Sequence, residues 1–372
     1  MYVERIGGLD FADSLHDAWN QLAGDTPFCR REWLGAWWRN YGVEGEEYLL
    51  AIRHADGRLA GVAPWYRHNT SGFGRVVSFL GSGETCSDYL TVLGAEEDRT
   101  RMTTALAEWL IDASGQGDDI GWDMLQLDGV AANDPTMKQL LGCLEHYGCE
   151  VHTRSEQNTW RIPLPATWDD YRNQLSKPNR RHVRVLQERY VEPGLIQVHV
   201  AQTADDFDRA WSVLVELHQR RRHELGQPGC FASPRFARFA RQAAENFLQH
   251  DALELLWIEH DGAPLAAQLA FLGQGATYAY QVGIESAKRD LSPGWLVHTE
   301  SIKRAIAQGR TAFDLLRGDE EYKHRLGAKP HPLCTVRVVP PRLGPMVMHT
   351  AWVTGGAIKS WIKTGLHKTG LR

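Results

Sequence analysis

Apolar and polar residues change rhythm several times along the 372-residue chain, and those changes predict its elements. Residues 50–60 alternate around Asp56-Gly57 and predict a β-hairpin, because Asp-Gly accepts the backbone torsions of tight hairpin turns. The pattern returns at residues 256–266 around Asp261-Gly262. Ile52 and Ile258, His54 and His260, Leu59 and Leu265, and Ala60 and Ala266 share an offset of 206; only the Asp-Gly pair slips by one. A second echo, Trp122-Asp123-Met124-Leu125 against Phe313-Asp314-Leu315-Leu316, lies at an offset of 191. The first half thus carries about 15 extra residues, assigned to the Gly-rich polar stretch 71–88. Helical spacing of apolar positions predicts helices over 97–113 (Met102, Leu106, Trp109, Leu110) and 293–308 (Trp295, Leu296, Thr299, Ile302, Ile306). Further helices are expected over 168–190 and 204–224, with a strand over 196–201 between them. Each half reads helix, hairpin and further strand, helix, strand. The shared order predicts two diverged copies of one α/β (α+β) unit, at 1–165 and 166–341, with 342–372 as an appendage.

Composition changes this picture little. A length of 372 residues favours two domains, and 43% hydrophobic with 23% charged residues is ordinary globular usage. The net charge of −5 gives no global argument for nucleic-acid binding. After Glu321, however, there is no acidic residue, while nine lysines and arginines follow. A basic end on an acidic body points to an anionic partner or surface. Trp352, Ile358, Trp361, Ile362 and Leu366 with Lys359, Lys363 and Lys368 give residues 345–372 the character of an interfacial helix, which suits either peripheral membrane contact or packing on its own domain. The six cysteines form no CxxC pair and no zinc or disulfide spacing, so no metal site is expected. The chain shows no secretory signal and no apolar run long enough to span a bilayer, so a soluble cytoplasmic protein is expected, with the inner membrane as its one candidate surface.

The richest segment for chemistry runs from residue 278 to 327. A strand at 277–283 leads through a polar loop to Ser292-Pro293-Gly294, where Ser at N-cap and Pro at N1 start a helix. The free N–H groups and dipole of such a start favour a phosphate, and Lys288 and Arg289 lie just upstream. The strand Phe313-Asp314-Leu315-Leu316 then ends at Arg317-Gly318, before Asp319-Glu320-Glu321-Tyr322-Lys323. Tyr322 suits a general acid toward a thiolate leaving group, and Asp319 or Glu320 a base for an amine. In the first half, residues 81–89 form a Gly-containing polar loop that suits acceptor binding; Cys86 within it has no local His to activate it. Lys177, Arg180, Arg181, Arg184 and Arg189 on one helix, and Arg220, Arg221 and Arg222 on another, suit either a solvated face or an anionic ligand.

Leu217-His218 with Arg221, Gly229, Phe231, Pro264-Leu265-Ala266, Tyr278-Ala279-Tyr280, Ser292-Pro293-Gly294 and the 313–323 series stand in an order that resembles the CelD/BcsL-type acetyltransferases. These are a branch of the GNAT superfamily with the tandem architecture of FemAB-type transferases. The resemblance spans about residues 25–340. It implies two GNAT-like units with mixed, mostly antiparallel sheets flanked by helices, the donor site in the second. It also implies N-acyl transfer from acyl-CoA, acetyl or longer, to an amine acceptor on an amino sugar or a cell-envelope or polysaccharide precursor. The implied donor residues are Tyr280, Lys288, Arg289, Ser292, Gly294 and Trp295. Acceptor contacts fall to Ser87, Asp88, Tyr89, His218, Arg221, Gln268 and Arg317, and catalysis to Asp319, Glu320, Tyr322 and Lys323. Residues 289–294 depart from the Gln/Arg-x-x-Gly-x-Gly/Ala signature of the superfamily. Aminoacyl-tRNA, used by FemAB-type relatives, is therefore the alternative donor, and a non-catalytic binding subunit the alternative role.

Overall fold

The computed structural model describes residues 1–9, 15–117, 119–342 and 345, so the tail reading falls almost wholly outside the described residues. The N-terminal half runs β1 (Tyr2–Arg5), α1 (His16–Ala23), α2 (Arg31–Tyr41), β2 (Glu46–Arg53), β3 (Leu59–Thr70), β4 (Gly74–Phe79), β5 (Leu93–Gly94), α3 (Arg99–Ser114), β6 (Met124–Ala131), α4 (Pro135–His146) and β7 (Glu150–Pro163). The C-terminal half runs α5 (Trp168–Gln174), α6 (Lys177–Leu186), β8 (Ile196–Val200), α7 (Ala204–Glu224), α8 (Pro234–Leu248), β9 (Leu253–His260), β10 (Ala263–Leu272), β11 (Ala276–Ile284), α9 (Pro293–Ala307), β12 (Ala312–Arg317), α10 (Glu321–Arg325) and β13 (Lys329–Val339).

Both expected hairpins form. β2 and β3 pair antiparallel with Ile52 opposite Gly61, and β9 and β10 with Ile258 opposite Ala266. Asp261 and Gly262 both have positive φ, the type I′ condition, whereas in the first hairpin Gly57 takes positive φ in a loop one residue longer. That extra residue accounts for the slipped Asp-Gly pair. Each half also has one parallel pair joined through a helix: β4 with β6 through α3, and β11 with β12 through α9.

All the described strands belong to one sheet, ordered β1-β2-β3-β4-β6-β13-β7-β12-β11-β10-β9-β8, with β5 paired to β3 off this path. The architecture is mixed α/β, a large and mostly antiparallel sheet flanked by helices. β13, the last of the described strands in sequence, inserts between β6 and β7 of the N-terminal half and bonds to both. β7 then pairs through Arg161, Ile162 and Pro163 with β12. The boundary near residue 165 therefore does not divide the hydrogen-bonded sheet.

The expected helix over 168–190 is broken. α5 ends at Gln174, Leu175 and Ser176 are extended, and Pro178 in the first turn of α6 restarts the helix. Proline lacks the N–H an unbroken helix needs and disfavours helical torsions before it. A single π turn (Gln187–Val191) then follows α6, with the buried Gln187 side chain donating to Glu300. α7 matches its expected range, with Thr203 and Asp206 forming a capping box.

The main core crosses between the halves. Trp33 of α2, fully buried, stands edge-on to Phe239 at 4.8 Å, Tyr280 at 5.1 Å and Phe271 at 5.3 Å. Burying one such aromatic contributes about 1.5–3 kcal/mol, so this cluster does much to join the halves. Asp25 reinforces it by accepting from the amide of Gly275 and the hydroxyl of Tyr278. Among the described residues, no helix is long and apolar enough to cross a membrane.

Candidate functional site

β11 and β12 pair only from Ala276/Ala312 to Tyr278/Asp314, then part. Tyr280 is the extra residue of a β11 bulge, and Leu316 and Gly318 at the end of β12 have positive φ, so both strands bend where they separate. Gly318 has a φ of +110°, a conformation that residues with a Cβ rarely adopt, so this turn favours glycine. The gap opens into two joined chambers. The deep one, about 240 Å³, is bounded by Cys86, Asp88, Gln268, Tyr280 and Arg317. The outer one, about 750 Å³, lies over the start of α9. His218, Arg222, Val282, His298, Glu320 and Tyr322 line both.

The outer chamber suits an anion. Arg221, Arg222 and Arg289 line it beside Ser292, Pro293, Gly294 and Trp295. A Cβ on Gly294 would meet nothing within 4 Å, and the first turn of α9 carries no acidic residue. Ser292 does not cap the helix as expected: it sits in the left-handed region, and its side chain bonds to no first-turn amide. That leaves the positive helix end to a ligand. Lys288 precedes this turn and is not on the chamber wall.

The deep chamber is built across the halves. Asp88, fully buried, accepts from Arg317 Nε at 2.6 Å and Arg317 N at 3.0 Å, and Arg317 Nη2 donates to Ser87 O. Burial raises the Asp88 carboxyl to about 6 even against the pull of Arg317. A Cβ on Gly129 would collide with Ser87 O, so this residue admits the loop. His218 donates from Nδ1 to Gln219 Oε1 at 3.2 Å, which leaves Nε2 as the acceptor, 3.8 Å from Cys230 Sγ. Burial lowers His218 to about 4 and raises Cys230 to about 12, so the pair is neutral rather than thiolate and imidazolium. Burial, then the charge of Lys323, lowers His298 to about 4; its ring stacks on Tyr322 at 5.3 Å. Burial also raises the Tyr322 phenol and the Cys86 thiol.

Of the expected residues, the structure brings Asp88, His218, Gln268, Tyr280, Arg317, Glu320, Tyr322 and Lys323 to the deep chamber, and Arg221, Arg289, Ser292, Gly294 and Trp295 to the outer one. Several occupy other roles there or lie elsewhere. Asp319 is exposed and accepts from Asn158 and Trp160, away from both chambers. Lys323, 2% exposed, spends its ammonium on the carbonyls of Leu316, Arg317 and Gly318 and on Glu320, so it pins the turn. The Ser87 hydroxyl accepts from Trp33 and donates to Gly81 O. The Tyr89 hydroxyl is held by Asp314 and Thr159, and that of Tyr280 donates to Thr85 O. His298 and Arg222 complete the walls. His298 escaped the sequence reading because a lone histidine on the buried face of an apolar helix looks like core; Arg222 was visible only as part of a basic run.

Gln268 and His298 Nδ1 stand out energetically. Gln268 is 1% exposed, and neither its Oε1 nor its Nε2 has a hydrogen-bond partner among the described residues; His298 Nδ1 is equally orphaned. Each unsatisfied buried group costs about 1–3 kcal/mol. The one His/Glu group with metal-like spacing among the described residues, His16, Glu32 and His250, lines a separate depression. Its Glu32 carboxylate is already engaged by Arg30 and Asn20.

Residues 177–324 match the family model of the acetyltransferase (GNAT) domain. Three solved structures share the fold over most of their length. FemX is 13% identical, covers 90% of this chain and 97% of its own, and has a TM-score of 0.63. A conserved protein of unknown function from Bacteroides thetaiotaomicron is 11% identical over 91% and 99%, with a TM-score of 0.59. The C-terminal domain of a protein from Agrobacterium fabrum, described as a lysylphosphatidylglycerol synthetase candidate, is 11% identical over 93% and 97%, with a TM-score of 0.52. No curated protein matches the sequence. The parted strands and the open start of α9 lie within residues 177–324, the part that matches the acetyltransferase (GNAT) domain model, and the chain as a whole shares the fold of FemX.

Proposed function

We propose that the protein is an N-acyltransferase that moves an acyl group from acyl-CoA to an amine, on an amino sugar or a cell-envelope precursor, as CelD/BcsL-type acetyltransferases do. The observation that carries the reading is the joining of an anion-ready helix start to a deep chamber with a neutral histidine acceptor. The Gly294 amide end of α9 with Arg221, Arg222 and Arg289 would hold the pyrophosphate of the donor. The pantetheine arm would lie where β11 has lost its partner β12, bringing the thioester to the chamber junction. The amine then attacks the thioester carbonyl, forming C–N and breaking C–S. His218 Nε2 takes the ammonium proton, and Tyr322 is placed to protonate the leaving thiolate. In this reading residues 1–165 and 166–341 are diverged copies, and the first supplies one wall of the chamber.

Calorimetry of the full chain with acetyl-CoA and longer acyl-CoAs tests this directly. Binding with 1:1 stoichiometry is expected, and a lack of binding to every acyl-CoA sinks the reading. The exposed Arg181 and Arg184 on α6, with the half-buried Arg180 beside them, favour a second reading, transfer from aminoacyl-tRNA. That reading predicts salt-sensitive tRNA binding in place of acyl-CoA binding.

A further inference from the structure

Most polar groups around the deep chamber already hold one another. Asp88 is bonded to Arg317, Lys323 is taken up by carbonyls, and Tyr280 donates to Thr85. Gln268 and His298 are exceptions, and Gln268 is the more telling. Gln268 stands mid-strand in β10, opposite Leu256 of β9 and Val282 of β11, within the apolar run Leu265-Ala266-Ala267-Gln268-Leu269-Ala270-Phe271. A leucine there would fill similar space without burying an orphaned carboxamide. The chain instead keeps a donor and an acceptor with no partner among the described residues, in a residue that lines the chamber together with His298, whose Nδ1 is also orphaned. Buried polar groups are almost always paired, and an unpaired set facing a chamber points to a ligand that completes it.

We propose that Gln268 and His298 form a neutral clamp for a hydroxyl that flanks the reacting amine, so that the acceptor is a hydroxylated amine, an amino sugar or an amino alcohol. This rests on the acyl-transfer reading. A hydroxyl both donates and accepts, which matches the two ends of the carboxamide. A cationic flank fits poorly, because the Asp88 and Glu320 carboxylates are already paired with Arg317 and Lys323 there. The volume of about 240 Å³ leaves room for a single sugar ring.

The test compares wild type, Gln268→Leu and His298→Phe, with acetyl-CoA as donor and glucosamine, ethanolamine and cyclohexylamine as acceptors. In the wild type, kcat/KM for glucosamine should exceed that for cyclohexylamine by at least ~100-fold, as expected where buried polar groups are left unpaired by the wrong substrate. Gln268→Leu should bring the two within ~3-fold. Its acetyl-CoA affinity should stay unchanged and its Tm should rise, because an unsatisfied buried amide is removed. A lowered Tm with lost acetyl-CoA binding assigns Gln268 a structural role and overturns the clamp. So does an unchanged acceptor ratio in Gln268→Leu and His298→Phe. If the wild type binds acetyl-CoA but acetylates neither hydroxylated amine, the clamp fails and the acyl-transfer reading stands; if it binds no acyl-CoA, both fall.

Discussion

The two halves share an element order but treat the gap between their parallel strands in opposite ways. In the C-terminal half β11 and β12 part around the chambers. In the N-terminal half β4 leaves β6 after Ser78, and the loop that follows fills the space: Leu90 donates to Gly129 O of β6, with Thr85, Ser87 and Asp88 buried beside it. The helix starts differ in the same sense. α3 begins after Glu96, Glu97 and Asp98, and Asp98 binds Arg101 at 2.6 Å and His54 at 2.9 Å. The start of α9 carries Pro293 and Gly294 with arginines around it. One positive helix end is neutralised by its own chain, the other left for an external anion. The comparison sets one arrangement of strands with its gap filled by the chain itself beside the same arrangement with its gap left open.

That contrast can be broken at several points. The heaviest blow should be Asp88→Ala, which strips Arg317 of its buried partner across the halves. Urea unfolding should show a loss of about 3–5 kcal/mol, and a loss near zero would mean that the plugging loop does not bind the halves together. Next comes His218→Gln, expected to lower kcat by ~10²–10⁴ with acetyl-CoA affinity kept. The pH profile supplies the sign: His218 loses its acceptor lone pair only as pH falls through about 4, so the wild-type rate should rise through that region, and again as the amine acceptor loses its own proton at higher pH, before its plateau. A profile for His218→Gln that keeps the same rise and the same plateau rate would assign the proton to another group.

Giving α9 the charge of α3 should have a smaller effect. Arg222→Glu combined with Arg289→Glu should weaken acetyl-CoA binding by ~100-fold, about 2.7 kcal/mol, measured by calorimetry. Smallest is the reverse change: Asp98→Asn should cost about 0.3–1 kcal/mol of stability and create no acyl-CoA site on α3. Acyl-CoA binding at α3 in that variant would mean that charge alone separates the halves.

How much of this was legible depends on how local each cause is. The hairpins could be read because Asp-Gly is a short-range signal, and α7 because its cap and apolar spacing are contiguous. The break at residues 175–178 was also written locally, in Pro178, but the helical spacing on either side masked it. Ser292 was placed at the right boundary with the wrong chemistry, since nothing in the residue type announces a left-handed serine. Lys323 looks like a free cation in the sequence, and only the sharp turn at Gly318 aims three carbonyls at it. The position of β13 between β6 and β7 was illegible, because alternation shows that a segment is a strand and not which strands it joins.

The inserted β13 also has a consequence for the order of assembly. Residues 124–131 and 150–163 leave the ribosome long before residues 329–339, the strand that fills the place between them. Until then the nascent N-terminal half carries two strands with a bare edge each. Closing the sheet means joining segments about two hundred positions apart, a contact that raises contact order and slows the final step. A nascent chain stalled before residue 329 would expose those edges to pairing with other chains, and chaperone dependence should fall sharply once β13 has emerged.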